Sequence, residues 1–296
     1  MGRRRSDTER QVPAPAGPAP SAAANAGEAG GVEGAKAAAA LPDCWAALRA
    51  LTPARLALGR AGASLPTGEV LRFGWDHAQA RDAVQRPLDI ETLQRDITAL
   101  GLATLQVASR APDRVTYLMR PDLGRRLDEK YASGLESLGR GWDMALVVAD
   151  GLSSFAVQRY AAAVLEQIVR SVPKEWRLAP VIIATQARVA LGDDIGERLS
   201  AALVAVLIGE RPGLSSPDSL GIYLTWQPRI GRSDAERNCI SNIRPEGLSY
   251  GQAAYRLGWL CREASQRKLS GVGLKDRSDL VEAVLPRFDP KLSLRW

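Results

Sequence analysis

The spacing of apolar residues divides the chain into a stretch written in helical periods and a stretch that alternates short apolar runs with helices. Over residues 41–140 the helical period dominates. Thr52 before Pro53 predicts a helix start, the hydroxyl as cap and the proline in the first turn. Thr67 predicts the cap of a second helix, which carries Phe73, Trp75 and His77. Asp89 opens the best-defined helix of this half: Ile90, Leu93, Ile97 and Leu100 form one stripe and Gly101 ends it. Alternation then replaces the helical period at residues 103–109 and 114–118, with Pro112 and Asp113 between, which predicts a hairpin. Asp122 predicts a further helix rich in charge.

From Trp142 onward the pattern becomes strand, loop, helix. Residues 145–149, 180–184 and 203–208 are continuous apolar runs, and 221–226 reads as a fourth, more amphipathic strand. A helix with Val157, Tyr160 or Ala161, Val164 and Ile168 inward follows the first run. A short one begins near Asp193 with Ile195 and Leu199 inward. Ser249 and Gln252 form a capping box for a helix whose stripe is Tyr250, Ala254, Leu257, Cys261 and Ala264. Fully apolar strands between helices predict an α/β fold with a mostly parallel sheet covered on both faces. The expected organisation is an Ala/Pro/Gly-rich disordered tail over residues 1–40, a smaller, mainly helical domain over 41–140 and an α/β domain over 141–296. The tail has only Met1, Val12 and Val32 as large apolar residues, too few to offset its ordering entropy.

Composition narrows the chemistry. At 296 residues and 46% hydrophobic, the chain is neither mostly disordered nor collagen-like. No window approaches the ~18 consecutive apolar residues of a membrane span. Three scattered cysteines (Cys44, Cys239 and Cys261) make no disulfide framework and fit a reducing compartment. The single histidine, His77, argues against a zinc site, a His-dependent triad or a binuclear metal centre. The net charge of +6 is carried mainly by arginines interleaved with acids. That reads as a solvated basic surface, or as a few arginines facing an anionic cofactor or acidic partner, rather than a nucleic-acid patch.

In open α/β sheets ligands bind outside the carboxyl ends of the strands. Four segments qualify by position: Asp150 to Ser153, Gln186 to Asp193, Gly209 to Ser219, and Arg237 to Pro245, all rich in glycine, small hydroxyls and polar groups. They suit a large ligand bearing amides or phosphate. Each has a plainer reading as well. Asp150-Gly151 reads as a turn, Glu210 and Arg211 as a surface ion pair, Cys239 as a small buried side chain and His77 as a structural helix residue. No G-x-G-x-x-G opens the first helix, which counts against a nicotinamide dehydrogenase. Spacing alone leaves two alternatives open, a self-sufficient α/β enzyme acting on a nucleotide-like ligand and a basic adaptor.

Five ordered blocks go further: TPARLALGRAG (52–62), RPDLGRRLDE (120–129), ALVVADGLS (145–153), LIGERPGLSSPDSLGIYLT (207–225) and RNCISNIRPEGLSY (237–250). In these the chain resembles the small (light) subunit of ethanolamine ammonia-lyase, over residues from about 41 to 279. The resemblance implies an adenosylcobalamin enzyme that converts ethanolamine to acetaldehyde and ammonia by radical chemistry. It implies a large catalytic subunit, and a Rossmann-like domain in the small subunit that completes the cobalamin site at the interface. The family's cobalamin-contacting valine, glutamate and cysteine fall on Val189, Glu210 and Cys239. No residue of this chain is expected to be catalytic or to bind a metal. The histidine motif that displaces cobalamin's own base is absent, since the only histidine reads Trp75-Asp76-His77-Ala78-Gln79; a base-on cofactor is implied. Also implied are a higher-order hetero-oligomer that binds neither nucleic acid nor membrane, and a cytoplasmic location, within a bacterial microcompartment in some members. The N-terminal extension lacks the amphipathic stripe of a targeting helix.

Overall fold

A computed structural model describes residues 45–279 except Pro53; the expected tail over residues 1–40 lies outside the described residues. Its centre is a six-stranded sheet in the order β1-β3-β2-β4-β5-β6: β1 (Thr104–Ala108), β2 (Met144–Ala149), β3 (Val181–Thr185), β4 (Leu203–Gly209), β5 (Leu220–Trp226) and β6 (Arg237–Ile243). The first four strands are mutually parallel, and β5 and β6 extend the sheet antiparallel.

The helices are α1 (Ala46–Arg49), α2 (Thr67–Gln85), α3 (Ile90–Ala99), α4 (Arg114–Met119), α5 (Ala132–Ser137), α6 (Ser154–Ser171), α7 (Leu191–Arg198) and α8 (Tyr250–Arg267). The alternating side chains of β2 divide two cores. Met144, Leu146 and Val148 pack with α3, α6 and α8 on one face. On the other, Ala145, Val147 and Ala149 pack with Leu135 of α5 and with Leu191 and Ile195 of α7. All six residues of β2 are buried, which is why it is written as an unbroken apolar run. Asp89 and Ser249 cap α3 and α8 as expected, their side chains accepting the N–H groups of Thr92 and Gln252, and Ser153 caps α6 in the same way through the Ala156 N–H. No helix among the described residues is long and apolar enough to cross a membrane.

Several local expectations are corrected. No helix follows Thr52; its hydroxyl accepts the Ala54 N–H at 3.2 Å, and positive φ at Ala57 and Gly59 turns the chain instead. Thr67 is the first residue of α2, and Pro66 takes the cap position without a side-chain bond. Residues 114–118 are helical, not the second strand of a hairpin. The Asp113 carboxylate accepts the Thr116 N–H at 2.7 Å and starts α4, while β1 pairs in parallel with β3. The helix expected at Asp122 is broken into 3-10 turns at Leu123–Arg125 and Glu129–Tyr131 before α5. Gly124, inside the first turn, is a close approach: an added Cβ would lie 2.9 Å from the Arg188 side chain.

The last correction concerns residues 237–245, expected as a loop. Arg237–Ile243 is the edge strand β6. Ile240 and Ile243 are buried, whereas Cys239, Ser241 and Asn242 face outward, as an edge without a covering layer allows. A register shift opposite residues 220–222 of β5 breaks the alternation that would have marked it as a strand.

Candidate functional site

Chain direction sets where a ligand can enter. From β2 the chain crosses through α6 to β3 on one side; from β4 it turns to β5 on the other. The carboxyl ends of β2 and β4 therefore form a switch point, the usual crevice of a doubly wound sheet. Here lies an open cleft of about 430 Å³, bordered by Leu152 after β2, Arg188 and Val189 after β3, Ile208 to Arg211 at the end of β4, Tyr223 on β5 and Tyr117 on α4. Larger hollows of about 500 and 530 Å³ lie elsewhere. The first, around Trp142 and Trp226, is at the opposite end of the strands; the second is ringed by ion-paired arginines. Neither gathers the loops that follow β2 and β4.

The cleft floor is rigid because backbones meet there. The Leu152 N–H donates to the Gly209 carbonyl at 2.9 Å. A Cβ on Gly209 would stand 2.0 Å from the Ser153 carbonyl oxygen, so only glycine permits the approach. Asp150, expected as part of a turn, is instead a buried anchor. Its carboxylate accepts the Gln186 and Ala187 N–H groups at 2.8 and 3.0 Å and so holds the loop that carries Val189. Burial pushes its pKa up, opposed by those two N–H bonds and by Arg114. Tyr117 is fully buried with the Arg114 and Arg188 guanidiniums 4.7 and 4.4 Å from its ring centre, and donates to the Ala187 carbonyl. Burial drives its hydroxyl up to about 12.

Of the three expected contact residues, Val189 and Glu210 both line this cleft, and both are half-buried. No Glu210–Arg211 ion pair forms among the described residues; the Glu210 carboxylate accepts the Asn242 N–H at 3.2 Å. Cys239 is not among the lining residues and is not in a loop. It sits on β6 directly opposite Tyr223, and the two side chains interact. Through Tyr223, which does line the cleft, the thiol joins the same neighbourhood. Although Cys239 is exposed as a residue, local desolvation of its thiol beside Tyr223 raises its pKa and the nearby Glu210 adds to the rise, while a hydrogen bond from Tyr223 opposes it. His77 is exposed on α2, its ring 6.3 Å from that of Phe73 and outside the cleft. Among the described residues no group of three His, Cys, Asp or Glu could hold a metal ion. Arg188 lay within the expected segment Gln186 to Asp193 without a role of its own, and Tyr117 and Tyr223 lay outside the expected segments, since nothing local marks a tyrosine that reaches a cleft through tertiary contact.

A family model for the ethanolamine ammonia-lyase light chain (EutC) matches residues 42–275. The chain belongs to the ethanolamine ammonia-lyase small-subunit family. The small subunit of that name from Xanthomonas campestris pv. campestris is 59% identical over 242 residues, 80% of this chain and 89% of its own. Those of Azotobacter vinelandii and Pseudomonas aeruginosa are 56% and 53% identical, covering 80% and 83% of this chain and 90% and 95% of their own. The matched span contains every residue that lines the cleft, so the small-subunit family and the switch-point crevice coincide in one part of the chain.

Proposed function

We propose that this small subunit forms one wall of an adenosylcobalamin site, with the cleft at the ends of β2 and β4 facing a large subunit that carries substrate and reacting groups. Together they convert ethanolamine to acetaldehyde and ammonia; the small subunit alone is inactive. The doubly wound core is read as a Rossmann-like cofactor fold from residue 141 on, with the mainly helical stretch before it adding β1 and Tyr117. The assembly is a cytoplasmic hetero-oligomer, encapsulated where a microcompartment is present. The carrying observation is that Val189 and Glu210, with Tyr223 and Cys239 beside them, gather at one switch-point cleft in a chain of this family.

The residues present fit an edge of a corrinoid, which alternates methyl groups with amide side chains. Val189, Leu152 and Ile208 offer apolar surface, Glu210 accepts from amide or ribose donors, and Arg188 donates. Arg188 Nε is buried without a hydrogen-bond partner, so its guanidinium has spare donor capacity. The volume lies within the ~300–1,000 Å³ of small-molecule sites, and its open side leaves the rest of a large cofactor to the partner. Adenosylcobalamin, when bound, supplies radical initiation through homolysis of its cobalt–carbon bond, and the protein supplies position and surroundings. The Cys239 thiol, its pKa raised by local desolvation, stays protonated at neutral pH and contributes shape and a weak hydrogen bond rather than a thiolate ligand. With His77 outside the cleft, the cofactor keeps its own base.

Ammonia release from ethanolamine should require this chain, the large subunit and adenosylcobalamin together; turnover by the large subunit and cofactor without this chain would overturn the reading. Glu210→Gln keeps the side chain's shape but removes a charge-assisted hydrogen bond. Cobalamin affinity of the assembled complex, read from its visible spectrum, should fall by about 10- to 100-fold, with the melting curve of the chain unchanged. Unchanged affinity would remove Glu210 from the site.

A further inference from the structure

Unmet hydrogen-bonding capacity is concentrated behind one wall of the cleft. Among the described residues five buried side-chain polar atoms lack a partner, and three of them, Arg114 Nη2, Gln186 Oε1 and Arg188 Nε, belong to residues bonded to or stacked on Asp150 and Tyr117. Buried polar groups are nearly always paired, so a cluster of exceptions beside an open cleft points to a group supplied from outside the chain. Of the three, Arg188 lines the cleft itself, and it is held ready. Its Nη2 donates to the Tyr117 carbonyl at 3.1 Å, its guanidinium lies 4.4 Å from the Tyr117 ring centre, and its backbone N–H donates to the Gly124 carbonyl at 2.8 Å. Its stem fills the space that a Cβ on Gly124 would need. The turn that delivers Arg188 is strained. Gln186 takes φ 51°, a left-handed backbone uncommon outside glycine, and is pinned there by the Asp150 carboxylate at its N–H and by the Ser109 hydroxyl at its carbonyl, 2.8 and 2.6 Å. Strain of this kind persists where the surroundings over-determine it, typically where a side chain must be aimed at a ligand.

Charge decides what kind of group that is. The Arg188 guanidinium bonds the Tyr117 carbonyl and makes no ion pair among the described residues. Asp150, the buried carboxylate of this wall, is already committed to two backbone N–H groups and lies 3.7 Å from Arg114. Glu210, the acid among the lining residues, accepts the Asn242 N–H, and Arg211 beside it adds a further cation. A half-buried guanidinium without a counter-charge is unfavourable until an anion arrives. A carboxamide would use its free Nε but leave its charge unbalanced; a phosphate oxygen answers both needs, and the planar guanidinium matches phosphate geometry. Adenosylcobalamin carries one phosphate, the diester that joins the corrin side arm to the nucleotide base. We propose that Arg188 is the anchor for that phosphodiester, donating from Nε to a phosphate oxygen while Tyr117 and the strained turn at Gln186 hold the guanidinium in place. The cofactor's nucleotide arm is thereby directed to the loop after β3. The inference rests on the cofactor site proposed above and names the part of the cofactor that this wall receives.

The test measures corrinoid binding to the assembled complex of this chain and the large subunit, by equilibrium dialysis read in the visible band. The probes are cobalamin, cobinamide phosphate and cobinamide; the last two differ only in the phosphate. The wild-type complex should bind cobinamide phosphate about 10- to 100-fold more tightly than cobinamide, as a charge-assisted bond to phosphate implies. Arg188→Met should bring the two probes within about twofold of each other, mainly by weakening cobinamide phosphate. Arg188→Gln, which keeps a polar group at the position but not the charge, should lose the preference as well and serves if the methionine variant does not assemble. A side chain that merely shapes the cleft would weaken both probes alike, so an equal loss on both overturns the anchor while leaving the cofactor site standing. Uptake of cobalamin by the wild-type complex with no measurable gain from the phosphate of cobinamide phosphate overturns it too, as does a preference that survives in either variant. A wild-type complex that binds none of the three corrinoids overturns the cofactor site and the anchor together.

Discussion

Replacing Asp193 with alanine should be among the most damaging single changes outside the apolar core. Asp193 on α7 and Arg237 at the start of β6 form an ion pair at 2.6 Å with each side chain only 2% exposed. Arg237 also reaches Thr225 Oγ1 at 3.2 Å, the Arg232 carbonyl at 2.9 Å and Asp234 at 3.3 Å. The pair ties the helix that follows Val189 to the strand that carries Cys239. Removing one member of a buried pair strands the other's charge, at a cost of about 3–5 kcal/mol. Asp193→Ala should therefore lose about that much in urea unfolding followed by tryptophan fluorescence. Arg237→Met should behave differently, because a carboxyl can escape its charge by protonation. Burial already pushes the Asp193 pKa up against the opposing pull of Arg237, and removing Arg237 raises it further. An acid raised in the folded state contributes stability that is lost as pH rises above its unfolded value of ~3.9. The penalty of Arg237→Met should thus be small near pH 4 and grow toward neutrality. The double variant D193L/R237M, with neither charge, should recover most of the loss. A cost below about 1 kcal/mol for Asp193→Ala, or a pH-independent penalty for Arg237→Met, would refute the reasoning.

Gly209→Ala should lower Tm by roughly 6–12 °C, taking about 3 kcal/mol for the clash, because the new Cβ would stand 2.0 Å from the Ser153 carbonyl and force apart the two backbones of the cleft floor. A melt within 2 °C of wild type would show that the loops yield freely. Glu236 is held down to about 2 by the Ser233 N–H and then by Arg232. Its stabilising contribution is whole above the unfolded value of 4.5 and disappears as pH falls through about 2. The stability gap between wild type and Glu236→Gln, measured from pH 7 to pH 2, should close at the acid end; a constant gap would contradict the assignment.

Elements that carry their own periodicity were legible in the sequence. The stripes of α3, α6 and α8 and the apolar runs of β2, β3 and β4 record burial that any packing of those segments must respect. The loops after β3 and β4, with Val189 and Glu210, followed from the rule that ligands meet the carboxyl ends of such strands. Harder to read were segments whose pattern is short or half-solvated. Residues 114–118 alternate like a strand, yet the Asp113 cap and burial of Tyr117 make them a helix. β6 buries only Arg237, Ile240 and Ile243, so its polar residues looked like a loop. Cys239 was placed beside a loop and lies within a strand.

By itself, then, the chain's pattern determined the α/β class, the helix caps at Asp89 and Ser249, the core strands and the family, because each depends on neighbours in sequence or on long ordered blocks. Only the tertiary structure decided that β1 joins the sheet and that Asp150 is an anchor rather than a turn residue. It alone decided that Tyr117, Arg188 and Tyr223 share a cleft with Val189 and Glu210, and that α2 leaves Leu71 and Trp75 exposed among the described residues. The physical reason is common to all of these. They depend on bonds and close approaches between residues tens of positions apart, such as Asp150 with Gln186, Ser153 with Gly209 and Arg237 with Asp193, which no local spacing encodes.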